Sequence, residues 1–239
     1  MKKRLDVLLV ERGLAASRAQ AQALVLAGRV RGHAKAGEQV DEADRLEVEP
    51  GPRFVSRGGE KLANALAHFR LDVTDEDCLD VGASTGGFTD CLLKAGAARV
   101  CALDVGYGQL HPRLRADPRV SVLERTNVRD LRCGDLPFRP RFVVCDVSFI
   151  GLAKALPPTL ACAAPGWRAL ALVKPQFEAG RADVGKGGVV RDEAVRARVV
   201  EEIVAAVPEW GGRVVGTCES GLPGPKGNRE VFVHLVDAD

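Results

Sequence analysis

Residues 78–94 read CLDVGASTGGFTDCLLK: a short apolar run, a glycine-rich turn and an apolar segment at helical spacing. This pattern predicts a strand at 78–81 and a helix at 87–94, joined by a tight turn. From residue 57 onward, short apolar runs alternate with helical patterns. Such alternation is typical of a doubly wound α/β fold, in which ligands bind at the carboxyl ends of the strands.

The remaining pattern predicts a seven-stranded, mostly parallel sheet flanked by helices. The last two strands lie close together in the sequence, so one of them is expected to be antiparallel. We predict strands at 78–81, 100–105, 120–123, 142–146, 169–173, 213–218 and 231–236, and helices at 58–69, 87–94, 151–163 and 192–207.

The glycine-rich turn at 82–87 predicts a cofactor site. Its spacing is G-x-x-x-G-G and departs from the G-x-G-x-x-G dinucleotide fingerprint, which disfavours a bound pyrophosphate. Asp80 precedes the turn, and Asp104 follows the next strand, where a carboxylate can accept hydrogen bonds from ribose hydroxyls. The sequence therefore favours an adenosine cofactor, the alternative being a tight connection that binds no ligand.

Four charged residues fall at predicted strand ends or beside the first strand. Lys61 lies in the helix before that strand, Asp146 and Lys174 end the fourth and fifth strands, and Glu230 begins the last. Each alone is typical of a solvated surface, but the set is expected to meet at the cofactor edge of the sheet. A lysine tuned by neighbouring charges can orient a hydroxyl nucleophile or take its proton.

The first fifty residues predict a separate small α+β module. Helices are expected at 4–13 and 18–27, followed by a short hairpin whose second strand is 45–49. Residues 1–35 carry eight Lys and Arg against two acids, and residues 36–60 carry seven acids against three Arg. The basic end suggests a surface for RNA phosphates, the alternative being an ordinary solvated face.

The composition excludes several classes of protein. With 46% hydrophobic and 28% charged residues the chain is globular, and no apolar window is long enough for a membrane span. Acidic residues interrupt the apolar stretch after the basic N-terminus, which argues against a signal peptide. Seven cysteines without a C-x-x-C pair predict neither a disulfide framework nor a zinc site. We expect a cytoplasmic protein without a metal.

The N-terminal module resembles the alpha-L type RNA-binding module of pseudouridine synthases and tyrosyl-tRNA synthetases. The resemblance covers residues 4–50, although Gly32-His33-Ala34 stands where that family commonly has Val-Asn-Gly. It implies contacts with structured RNA, for which Arg4, Arg18, Arg29 and, beyond the linker, Arg57 are the candidates. We expect an RNA-binding domain at 1–50, a linker at 51–57 and a catalytic domain at 58–239. Loop residues of the catalytic domain that are also placed to flank RNA are Arg125, Arg129, Arg181 and Lys186.

The segments DVGASTGGFTD and ALDVGYGQ resemble the cofactor motifs of FtsJ-like 2′-O-methyltransferases. This resemblance implies S-adenosylmethionine as the cofactor, with Asp80 and the 82–87 turn at its methionine part, Asp104 at its ribose and Asn127 near its adenine. The implied cofactor-binding residues are Asp80, Gly82, Ser84, Thr85, Gly86, Gly87, Phe88, Asp104, Asn127 and Asp146.

The four charged residues resemble the Lys-Asp-Lys-Glu tetrad of the same enzymes. The resemblance implies that Lys174 is the base or orients the hydroxyl, that Asp146 and Lys61 tune and position it, and that Glu230 contacts the ribose or a lysine. The motifs SRGGEKL, GASTGGFTD, CDVSFI, LVKPQFE, GKGGVVRD and GNREVF occur in one order.

Over nearly the full length this order resembles the TlyA family, bacterial ribosomal RNA cytidine 2′-O-methyltransferases also labelled hemolysins. It implies methylation of a cytidine in ribosomal RNA, with large-subunit RNA as the expected substrate. Arg53-Phe54-Val55 departs from the family's commoner tryptophan before valine. The alternatives are a non-catalytic RNA-binding assembly factor and a membrane-active hemolysin, and the glycine spacing disfavours an NAD-type oxidoreductase.

Overall fold

The computed structural model describes residues 1–180 and 182–239, and for Pro225 the backbone alone. Its contacts divide the chain into two compact units, Met1–Arg53 and Phe54–Asp239. Among the described residues, no helix is long and apolar enough to cross a membrane.

The first unit packs two helices against a small antiparallel pair of strands. Its elements are β1 (Lys2–Arg4), α1 (Leu5–Glu11), α2 (Arg18–Leu26) and β2 (Gln39–Asp41). Ser17 caps α2 by accepting a hydrogen bond from the Gln20 amide at 3.2 Å. The core of this unit consists of small and medium apolar side chains, among them Leu5, Leu9 and Val40.

The predicted hairpin of this unit is wrong in part. Its two arms meet at one antiparallel bridge, between Val30 and Val48, and form no ladder there. The ladder pairs β1 with β2 instead. The sequence does not predict a strand at Lys2–Arg4, because this basic segment has no apolar alternation.

The second unit has the predicted doubly wound architecture. Its strands are β3 (Asp77–Val81), β4 (Arg99–Leu103), β5 (Val120–Leu123), β6 (Phe142–Cys145), β7 (Arg168–Val173), β8 (Gly212–Glu219) and β9 (Val231–Asp237). Its helices are α3 (Arg57–Phe69), α4 (Gly87–Lys94), α5 (Pro112–Arg115), α6 (Leu152–Ala161), α7 (Pro175–Glu178) and α8 (Glu193–Ala206).

The sheet of this unit is mostly parallel. Its strand order is β5-β4-β3-β6-β7-β9-β8, and β9 runs antiparallel to both of its neighbours. The seven strands and the one antiparallel strand are as predicted. Because β4 ends at Leu103 and β6 at Cys145, Asp104 and Asp146 follow directly after the strands, at the edge where the parallel strands end.

Apolar layers cover both faces of the sheet, as a parallel sheet requires. Alternate strand residues enter opposite layers: Leu79 and Val81 face the layer that contains α6 and α8, and Cys78 faces the layer that contains α3 and α4. The strands are therefore fixed on both sides, and this rigidity extends to the residues at their carboxyl ends.

Two cysteines depart from the expectation that the chain forms no disulfide. Cys133 and Cys162 are joined, with their Cα atoms 4.7 Å apart. Cys162 directly follows α6, and Cys133 lies in a short turn 29 residues earlier. Their approach is a tertiary contact across this unit, which the spacing of cysteines in the sequence does not reveal.

Candidate active site

A cleft of about 470 Å³ opens at the carboxyl ends of the central strands. The 82–87 turn, the start of α3 and the ends of β6 and β7 contribute to its wall. The lining residues are Ser56, Arg57, Gly58, Lys61, Gly82, Ala83, Ser84, Thr85, Gly87, Phe88, Asp146, Lys174 and Glu230.

The glycine-rich turn is shaped by close backbone approaches. Gly82 has φ +85°, and a Cβ there would stand 2.5 Å from the Asp146 carbonyl oxygen. Gly86 has φ +91° and precedes the first residue of α4. Side chains are excluded at these positions, so the turn packs directly against the end of β6 and leaves the cleft beside it open.

Asp80 lies behind the turn and does not line the cleft. Its Oδ2 accepts hydrogen bonds from the Thr89 amide at 2.9 Å and the Thr89 hydroxyl at 2.6 Å, which fastens β3 to α4. Its Oδ1 is buried and has no hydrogen-bond partner among the described residues. Burial raises the pKa of Asp80 to about 7, although the bonds from Thr89 lower it.

Asp104 holds the loops that flank the cleft. Its Oδ2 accepts a hydrogen bond from the Ser84 amide at 2.7 Å, and its Oδ1 accepts one from the Gly106 amide at 2.7 Å. Each carboxylate oxygen can accept a further hydrogen bond. Asn127 accepts a bond from the Arg129 amide at the start of a 3₁₀ turn. The residues that line the cleft include neither Asn127 nor Asp104.

The four charged residues of the predicted tetrad all line this one cleft, and they form two ion pairs. Lys61 Nζ donates to Glu230 Oε2 at 2.5 Å, in a pair that is almost fully buried. Lys174 Nζ lies 2.5 Å from Asp146 Oδ1 and donates to Ser148 Oγ at 3.0 Å. The structure thus pairs Lys61 with Glu230, whereas the sequence suggested Lys61 as a partner of Lys174.

The two pairs differ in exposure. Glu230 is fully buried, and its second oxygen receives a hydrogen bond from Gln176 at 3.4 Å. The Asp146 side chain is 24% exposed, and Lys174 stands at the cleft wall. Lys174 is therefore the lysine whose carboxylate partner is more exposed. Lys61 and Glu230 form the inner wall of the cleft.

Four polar residues of this region were not selected from the sequence. Ser56 lines the cleft, Ser148 accepts from Lys174, Gln176 donates to Glu230, and Glu178 accepts the Leu152 amide at 2.8 Å. All four lie in the motifs SRGGEKL, CDVSFI and LVKPQFE, each of which contains a tetrad residue. This closeness in the sequence is the signal that could have identified them.

The predicted RNA-binding residues lie in both units. Arg4, Arg18 and Arg29 belong to the first unit, where Arg29 donates two hydrogen bonds to the Glu49 carbonyl oxygen. Arg57 begins α3 and lines the cleft. Arg181 lies outside the described residues.

The cleft suits a ligand with both cationic and hydrogen-bonding groups. Carboxylates of Asp104 and Asp146 stand at the strand ends, and the small residues of the turn let a ligand approach the backbone. The predicted S-adenosylmethionine has a sulfonium, an amino group and ribose hydroxyls that match this donor and acceptor set. The residues that would hold it are those of the 82–87 turn together with Asp104 and Asp146.

Comparisons with known proteins identify the family of the chain. The family model of FtsJ-like methyltransferases matches residues 54–236, and that of the S4 domain matches residues 3–31. The chain is 49% identical to the 16S/23S rRNA (cytidine-2′-O)-methyltransferase TlyA of Mycobacterium tuberculosis, over 97% of this chain and 89% of that protein. It is 40% identical to Hemolysin A of Brachyspira hyodysenteriae, over 98% and 99% of the two chains.

A solved structure of a hemolysin-named protein from Streptococcus thermophilus has the same fold. It superposes with a TM-score of 0.77 at 42% identity, covering 100% of this chain and 89% of the other. The resemblances to the FtsJ-like, S4 and TlyA families are thereby confirmed. The chain belongs to the FtsJ-like methyltransferase family, within it to the TlyA group with an N-terminal S4 domain, and its methyl donor is S-adenosylmethionine.

Proposed function

We propose that this enzyme methylates the 2′-hydroxyl of a cytidine in ribosomal RNA, with large-subunit RNA as the substrate. The observation that carries the proposal is the convergence of Lys61, Asp146, Lys174 and Glu230 on the cleft beside the glycine turn. The M. tuberculosis relative is named a 16S/23S rRNA (cytidine-2′-O)-methyltransferase, which supports a ribosomal RNA cytidine as the acceptor. We expect the enzyme to act in the cytoplasm, because its proposed substrate is ribosomal RNA.

S-adenosylmethionine supplies an electrophilic methyl group, so the protein's task is to orient the acceptor hydroxyl and manage its proton. Lys174 is suited to this, because Asp146 and Ser148 fix its ammonium group at two points. An ammonium has three N–H donors, which leaves one for the acceptor oxygen. We assign Lys174 to orient that oxygen as the ammonium or, as the neutral amine, to receive its proton.

The Lys61–Glu230 pair forms the inner wall of the cleft. Lys61 and Glu230 compensate each other's charge in a buried position, which keeps the inner wall of the cleft ordered without exposing a free charge. Glu230 is assigned to a ribose hydroxyl or to Lys61, and Asp146 to the electrostatic support of Lys174. Residues 1–50 are assigned to RNA binding and residues 58–239 to catalysis, with 51–57 as the linker, a division supported by the contact boundary after Arg53.

Replacing Lys174 tests the chemistry directly. Lys174→Ala should lower the rate of methyl transfer by about 10²-fold or more, since a positioned acid or base contributes on that order. Binding of S-adenosylhomocysteine, measured by calorimetry, should change little. A folded variant that retains wild-type turnover would remove Lys174 from the mechanism.

The substrate is tested by mapping ribose methylation in ribosomal RNA from a strain that lacks the gene, with and without complementation by the wild type or Lys174→Ala. A site that is methylated only with the wild-type gene, and in a cytidine of large-subunit RNA, is the expected result. Purified enzyme offered isolated subunits and intact ribosomes then identifies the assembly state that is recognised. Absence of any methyl transfer to RNA would favour a non-catalytic assembly factor.

A further inference from the structure

Asp6 is a buried acidic residue of the first unit that contacts two arginines. Its carboxylate lies in the first turn of α1 and is fully buried. Arg4 donates to it through Nε at 3.0 Å and Nη2 at 3.1 Å, Arg18 through Nη2 at 3.0 Å, and Gln22 through Nε2 at 3.0 Å. One carboxylate thus joins β1, α1 and α2.

The ionised form of Asp6 is stabilised by these partners. A buried carboxylate is costly unless it is paired and hydrogen-bonded. Here the hydrogen bonds from Arg4 and Gln22, with the nearby Arg18 guanidinium, hold the pKa of Asp6 well below its usual range. Asp6 is therefore a fixed negative charge between two arginines at neutral pH.

The two arginines remain available to a ligand. Their side chains are 47% and 57% exposed, although one edge of each guanidinium is bound to Asp6. A guanidinium has five N–H donors, of which Arg4 uses two on Asp6 and Arg18 one. A guanidinium held in one orientation loses less freedom when it binds a phosphate, which favours bidentate contacts.

We propose that Asp6 is a positioning residue for RNA binding, which holds Arg4 and Arg18 as a fixed pair of guanidinium groups that receives phosphate oxygens of the substrate RNA. This inference rests on the proposed function for the identity of the ligand. The expected effect of removing the Asp6 charge on RNA affinity is opposite to the usual one. Removing a negative charge from a surface that binds a polyanion ordinarily strengthens binding, whereas removing this one weakens it.

The test compares two variants of the full-length protein that each lose one negative charge. Asp6→Asn keeps the size of the side chain but turns an amide N–H toward a guanidinium. Asp44→Asn is the matched control, because Asp44 is exposed in the same unit. The probe is deproteinised large-subunit ribosomal RNA, titrated at several salt concentrations.

Asp6→Asn is expected to lower RNA affinity about tenfold, a usual size for coupling between contacting charged groups. Its salt dependence should fall by about one phosphate contact. Asp44→Asn should bind as tightly as the wild type or slightly more tightly. Equal affinities for Asp6→Asn and Asp44→Asn would overturn the proposal.

A variant that lacks both arginines distinguishes a positioning role of Asp6 from a role in folding. In an Arg4→Gln/Arg18→Gln protein there are no guanidinium groups for Asp6 to hold, so adding Asp6→Asn should change RNA affinity less than about twofold. A further tenfold loss there would show that Asp6 only maintains the fold, and would also overturn the proposal. Methyl transfer by the wild type reports on the proposed function separately: a protein that binds RNA through Asp6 but transfers no methyl group retains this inference and loses the other.

Discussion

Asp80 shows how a single buried carboxylate organises the cofactor turn. It fastens β3 to α4 through Thr89, while its other oxygen has no hydrogen-bond partner in the part of the chain that the structure describes. Burial is unfavourable for the charged form of Asp80, but its hydrogen bonds with Thr89 hold the turn in place. Such a compromise is expected beside a site where charge and backbone must be placed together.

Asp80→Asn should therefore change how stability depends on pH. The folded pKa is about 7, above that of an unfolded carboxyl, so the folded state binds more protons between about pH 4 and pH 7. The contribution of Asp80 to the free energy of unfolding is accordingly largest below pH 4, falls as the pH rises to about 7, and is constant above. Asn keeps an acceptor for Thr89 and does not ionise.

The measurement is denaturant unfolding of both proteins from pH 5 to pH 8.5. Over this range the stability of the variant relative to the wild type should rise with pH by about 3 kcal/mol at most and level off above about pH 7. A relative stability that does not change with pH would show that Asp80 is not ionised differently in the folded and unfolded states. Binding of S-adenosylhomocysteine at pH 8 checks that the turn is intact.

The segments after β6 and β7 hold each other at three places. Lys174 contacts Asp146 and Ser148, the Phe177 ring lies 5.1 Å from the Phe149 ring, and Glu178 accepts the Leu152 amide. Gly151, the residue before α6, offers no side-chain cap, so Glu178 supplies it from the neighbouring segment. This cap fixes the start of α6 and the loop that carries Ser148.

Glu178→Ala should loosen this loop. Loss of a helix cap costs about 1 kcal/mol, and the displaced Ser148 should lower kcat about tenfold while the affinity for S-adenosylhomocysteine stays near that of the wild type. Glu178→Gln is the matched control, because its amide oxygen still accepts the Leu152 amide. Single-turnover methyl transfer and thermal unfolding measure the two effects. Equal turnover in Glu178→Ala and the wild type would show that the cap does not position the site.

The elements that position the site were predictable from the sequence because their signals are local. Buried parallel strands are continuous apolar runs, and turns end them, so Asp146 and Lys174 were placed correctly at strand ends. Strand β1 was not predictable, since Lys2–Arg4 becomes extended only through pairing with Gln39–Asp41. The Cys133–Cys162 bond likewise depends on a tertiary contact.

The sequence does not determine which lysine pairs with which carboxylate in the site. The strand-end rule placed four charges at one edge, but it contains no information on which lysine faces which carboxylate. That choice depends on β9 running antiparallel beside β7, which brings Glu230 at its start toward α3 and Lys61. Asp104 shows the same limit: its backbone partners Ser84 and Gly106 are set by loop conformation.

The Lys61–Glu230 pair joins the beginning and the end of the catalytic unit, across 169 residues of chain. A long-range buried ion pair of this kind is weak support for stability, because desolvation of two charges offsets their attraction. Removing one partner, however, leaves the other buried without compensation. We therefore expect that the pair serves the chemistry of the cleft. The free energy of unfolding should be lowered when one charge is removed alone, but not when both are removed together.

Single and double substitutions separate these roles. Glu230→Leu should destabilise the protein by about 3–5 kcal/mol, because Lys61 is left buried and unpaired. Lys61→Met/Glu230→Leu should recover most of that loss in denaturant unfolding, since an apolar pair fills the same space. Methyl transfer should nevertheless stay absent in the double variant, as the cleft has lost two polar groups. A double variant that is no more stable than Glu230→Leu would show that the pair itself stabilises the fold, and one that methylates RNA at the wild-type rate would remove both residues from the reaction.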